Sequence, residues 1–248
     1  AFQVPAELSR VARRDWLAFV LKQTSFGNQL SPERAAITLL GPDGLRRFGF
    51  GDHAVGEVDE SLDGFPAAFR QGMATQAHSR VLDDTGQSAP EHWLWGSEQN
   101  PADMVIICYA ATDKILEADI QGVLQAAGNA GGKLVARLPL LVRREGRQAI
   151  EHFGFADGIS QPVIRGTPRA NGHVAPMHLV APGEFLLGYK DESGFYPPSP
   201  TVPKAQDGKG MLPALETGPE EQLFDKKARM RDFGRNGSFM VVRQLEQH

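Results

Sequence analysis

The sequence predicts an α+β fold. Three observations carry this: two helical stripes, strand-like apolar runs set between them, and turn residues at the junctions. Leu8, Val11, Ala12, Trp16, Phe19 and Val20 recur at helical spacing. Arg10, Arg13, Arg14 and Lys22 flank that stripe as its solvated face. Residues 35–40 (AAITLL) read as a strand, ended by the turn Gly41-Pro42-Asp43-Gly44. Residues 65–73 read as helix. Residues 104–110 (MVIICYA) form a continuous apolar run, the mark of a strand covered on both faces. Asp113 is placed to cap the next helix, whose face is Ile115, Leu116, Ile120, Val123, Leu124 and Ala127. That helix stops near Gly128, and residues 133–142 (KLVARLPLLV) read as another strand.

The order is helix, strand, helical insert, strand, helix, strand. A βαββαβ unit needs one more strand in front, and residues 1–5 (AFQVP) are too short to supply it. From 163 to 237 proline and glycine are dense, which predicts functional loops that still pack through Phe185, Leu186 and Leu187. Two domains follow, 1–145 and 146–248.

Composition narrows the class of protein. The 248 residues are 41% hydrophobic and 23% charged, as in a water-soluble domain. A net charge of −4 gives no basic footprint for nucleic acid or an anionic membrane. No apolar run reaches the ~18 residues of a membrane span. Cys108 is the single cysteine, so no disulfide forms within the chain, and its apolar surroundings make it a small hydrophobe. A cytoplasmic location is expected, although a processed signal would leave no trace.

The chemistry concentrates in His152-Phe153-Gly154-Phe155-Ala156-Asp157-Gly158-Ile159-Ser160-Gln161-Pro162. One carboxylate sits between two glycines in an apolar setting. Glycine lets another group approach the main chain, and a lone acid there has a tunable pKa suited to proton transfer. The bland alternative is an aspartate capping a turn. No pair of histidines shows metal-ligand spacing, and no metal site is read from them.

That run resembles the GxxDG signature of the dye-decolourising (DyP-type) haem peroxidases. Three further stretches resemble the family in order. They are residues 65–84 (FPAAFRQGMATQAHSRVLDD), 184–190 (EFLLGYK) and 236–243 (NGSFMVVR). The resemblance implies two ferredoxin-like halves in tandem, of the dimeric α/β-barrel type, with the second half incomplete in this chain. It implies haem b, hydrogen peroxide and small aromatic or dye substrates. Asp157 would be the distal acid–base. Gly158, Ile159, Ser160 and His152 would lie along the haem, and Arg243 would meet a propionate. For Arg243 the competing role is an ion pair with Glu246, and Arg165 has a similar status. Trp93, Trp95, Tyr109, Tyr189 and Tyr196 are candidates for electron relay or for simple packing.

The family's proximal histidine and distal arginine fall after the 236–243 strand. Neither is matched here, and His248 follows that strand too closely. A helix begins at 245–248, where the sequence stops. The expectation is therefore a second polypeptide or C-terminal fragment carrying both groups and contacting 239–248, with a homo-oligomer as a further expectation. The competing class is a non-catalytic haem-binding or structural subunit.

Overall fold

A computed structural model describes residues 1–27, 31, 33–50, 62, 64–156, 161–172, 174–216 and 229–245. The chain divides into two compact units, Ala1–Arg137 and Leu138–His248.

The first unit begins with β1 (Phe2–Gln3), followed by α1 (Arg10–Gln23) and β2 (Arg34–Leu40). Three short helices come next: α2 (Pro42–Arg47), α3 (Ala67–Gln71) and α4 (Gln76–Leu82). The unit ends with β3 (Met104–Ala110), α5 (Asp113–Asn129) and β4 (Lys133–Leu134). Its four strands lie in the order β2-β3-β1-β4 and all pair antiparallel. Phe2 pairs with both Met104 and Leu134, so the two-residue β1 is the front strand that the sequence left unassigned.

Both long helices start on hydroxyl caps. The Ser9 side chain accepts from Ala12 N and the Thr112 side chain from Ile115 N. Thr112, not Asp113, is thus the cap of α5. The helices bury Trp16, Val20, Val123 and Ala127 against Phe2, Val4, Leu8 and Met104. Trp16 meets Phe2 and Phe48 edge-on, with ring centroids 6.3 and 5.4 Å away. That apolar face, excluded from water, holds the unit together.

Several expected elements change. Gly41-Pro42-Asp43-Gly44 opens α2 instead of a turn, because proline at the first helical position needs no N–H partner. The helix expected over 65–73 is Ala67–Gln71, closed by Gly72 at φ 71°. Of 133–142, only Lys133–Leu134 is strand. Its partner β1 is two residues long, so the ladder runs out. The β3 strand is half-buried beyond Met104, and Tyr109 is half exposed, so it is not covered on both faces.

In the second unit β5 (Arg143–Glu145) and β6 (Gln148–Ile150) form a hairpin. Gly146 at φ 60° takes its first central position, as a type II′ turn requires. β7 (Val163–Ile164) pairs parallel with β8 (Leu179–Val180), and β9 (Thr201–Pro203) pairs antiparallel with β10 (Met230–Asp232). Short 3-10 turns link them, three opening on proline. Residues 238–242 form no strand.

The tandem ferredoxin-like, barrel-type expectation is therefore overturned. The four-stranded sheet is open, with β2 and β4 as its edges. Among the described residues the second unit holds only two-stranded pieces, with no repeat of the first unit. Strands of two or three residues interrupted by proline cannot build a longer ladder. No described helix is long and apolar enough to cross a membrane.

Candidate functional site

The β5–β6 hairpin leads directly into the Phe-Gly-Phe-x-Asp-Gly run. After β6 the chain reverses over 151–155 and returns to bridge Ile150 with Ala156. Glu151 organises the reversal. Its N–H donates to the Phe155 carbonyl at 2.9 Å, and its carbonyl accepts from Gly154 N at 3.1 Å. Its two carboxylate oxygens accept from Phe153 N and Phe155 N, both at 2.7 Å. Such charge-assisted bonds are stronger than neutral ones. Gly154 sits at φ 90°, a conformation costly for any residue with a Cβ. Sequence reasoning missed Glu151. The available signal was an acid placed just ahead of a glycine-centred turn, able to take up local N–H groups.

Asp157, Gly158, Ile159 and Ser160 lie outside the described residues, as do His173 and His248. The turn carries the chain to Ala156, the residue before Asp157. Its aromatic side chains point to solvent, Phe153 being 71% and Phe155 73% exposed. His152 is exposed, and its carbonyl accepts from the Arg143 guanidinium at 3.1 Å. Arg243 is exposed, and its expected partner Glu246 lies outside the described residues.

Arg165 is engaged otherwise than proposed for a propionate partner. It meets both oxygens of Glu192, at 3.0 and 3.2 Å. The relay candidates have structural partners. Tyr189 OH donates to Asn236 Oδ1 at 2.6 Å, with the Arg235 guanidinium 4.7 Å above its ring. Trp93 Nε1 donates to the Ser88 carbonyl at 2.8 Å, and Lys190 lies 5.6 Å over Tyr196. His78 Nδ1 is 2.5 Å from the Gly72 carbonyl.

A haem needs an axial side chain inside an apolar cleft. His152 is at the surface. A cavity of about 380 Å³ in the first unit is lined by Arg80, Asp84, Glu91 and Glu98 among others, without a histidine. Among the described residues no three His, Cys, Asp or Glu side chains gather to hold a metal ion.

No protein-family model matches the chain, and no curated protein matches it. Among solved structures, a DyP-type peroxidase from Anabaena sp. is similar at 20% identity with a TM-score of 0.49. The match covers 65% of this chain and 35% of that one. The likeness is distant and partial.

Proposed function

We propose that this chain is part of a haem b-dependent peroxidase of the dye-decolourising type. It would reduce hydrogen peroxide and oxidise small aromatic or dye substrates. The observation that carries the reading is the unbroken run His152–Pro162, with its single acid between Gly154 and Gly158. The Glu151-anchored turn supports it by fixing the chain immediately before Asp157. In this reading Asp157 is the distal acid–base. Its carboxylate is ionised when peroxide arrives and holds one proton briefly before returning it. Gly158, Ile159, Ser160, His152 and Arg243 are assigned as cofactor contacts. In this reading, as the family resemblance implies, the iron ligand comes from a second polypeptide or a C-terminal fragment.

The test is stopped-flow mixing of the haem-loaded protein with peroxide. Asp157→Asn and Asp157→Ala should keep haem and fold. Both should slow the first spectral step by about 10²–10⁴-fold, the usual worth of general acid–base assistance. Rates near wild type in both variants would remove Asp157 from this role and leave it a turn cap. Haem uptake with no peroxide reaction in the wild type would favour the non-catalytic subunit.

A further inference from the structure

We propose that segment 138–145 is a docking edge for an extended acidic segment of a partner protein, bound by strand addition to β5. The inference is independent of the peroxidase reading. Leu140, Leu141 and Val142 are 67%, 75% and 71% exposed, and Leu138 is exposed beside them. Residues 138–142 belong to no helix or strand, and among the described residues no hydrogen bond engages their backbone. Among the described residues the β5 strand that follows pairs with β6 alone, and no strand lies on its other side. An apolar edge with unpaired N–H and C=O groups is a template for another strand.

Charge decides between occupants. Arg143, Arg144 and Arg147 are all exposed on this hairpin. Glu145 opposes them, while the Glu151 carboxylate is taken up by Phe153 N and Phe155 N. The segment is locally basic although the chain carries −4. A second copy would bring the same arginines to the same edge and repel. A lipid surface would leave the backbone groups of the edge unsatisfied against hydrocarbon. An extended peptide alternating carboxylates with β-branched residues satisfies all three demands. It pairs the backbone, covers the leucines and faces the arginines.

The probe is a fluorescein-labelled synthetic peptide alternating Glu and Val, titrated against the full chain by anisotropy. Saturable binding is expected, weakened by about tenfold or more in Arg144→Glu/Arg147→Glu. Both positions are exposed, and far-ultraviolet circular dichroism checks the fold of the variant. The same peptide with alternate backbone nitrogens methylated should not bind, because it cannot complete a ladder. Equal binding of the methylated peptide, an unaffected double variant, or no binding up to about 1 mM would each overturn the proposal. So would self-association in sedimentation velocity, or capture by phosphatidylserine vesicles, if the double variant abolished it in place of peptide binding.

Discussion

At the scale of single residues, the Asp103 carboxylate is buried where the chain after β1 meets α2. Asp103 is 2% exposed. Its Oδ2 accepts from Val4 N at 2.7 Å and from Arg47 at 2.6 Å. Arg47 also donates to the Val4 carbonyl. Burial is the largest influence on the Asp103 carboxyl. It outweighs the Val4 N–H and the Arg47 guanidinium, so the pKa lies above the ordinary carboxylate value. Such a group favours folding while protonated. That advantage is complete below the unfolded value of ~3.9 and is lost as pH rises through the folded one. Asp103→Asn is neutral at every pH. Urea midpoints from acid to neutral pH should therefore show the wild type losing ground to this variant. A gap that moves the other way would reverse the assignment. Arg47→Met strands the carboxylate and should cost about 3–5 kcal/mol at neutral pH, as for other broken buried pairs. The loss should shrink in acid, where protonation relieves it. A pH-independent loss would mean that Arg47 acts by packing alone.

At the scale of elements, α2 is held against the start of β3 at a distance only glycine allows. A Cβ on Gly44 would stand 2.1 Å from the Asp103 carbonyl oxygen. Gly41 N donates to that same oxygen at 2.9 Å. Helix propensity alone favours Gly44→Ala by up to ~1 kcal/mol. The backbone clash should override it, for a net loss of about 1–3 kcal/mol in chemical denaturation. A neutral or stabilised variant would show that α2 can shift outward. This contact was invisible in the sequence, where Gly44 looked like a turn residue. The long helices α1 and α5 were legible because each writes an apolar stripe over several turns. The two-residue β1 was not, since so short a strand has no period to read. The shortening of 133–142 also followed from β1, through a partner that no local pattern discloses. At the candidate site the acid-and-glycine run was plain in the sequence. The Glu151 turn in front of it depends on main-chain geometry, which residue types only hint at.

At the scale of the whole molecule, the two units differ in how they declare themselves. The first has helices and paired strands long enough to show in hydrophobic pattern. The second is made of proline-led turns and strands of two or three residues, which leave composition and little else. A tandem repeat was expected there because a local resemblance was extended to a whole architecture. The motif identifies a candidate site and does not determine the surrounding ladder. The proposal that a second polypeptide supplies the iron ligand is tested by titrating residues 1–248 with haem. No stable five-coordinate histidine-type spectrum is expected, and a monodisperse monomer with that spectrum would place the ligand among the histidines of this chain.

The position of β1 also carries a consequence for biosynthesis. Phe2 belongs between Met104 and Leu134, and Val4 is completely buried. On a ribosome adding ~5–20 residues per second, this strand emerges roughly seven to twenty-six seconds before its last partner exists. During that interval β2, β3 and the helices can assemble, but the centre of the sheet stays open. These residues, made well ahead of β3 and β4, are therefore among the last to find their place. Until then Phe2 and Val4 are exposed to any holdase that recognises short apolar segments in nascent chains.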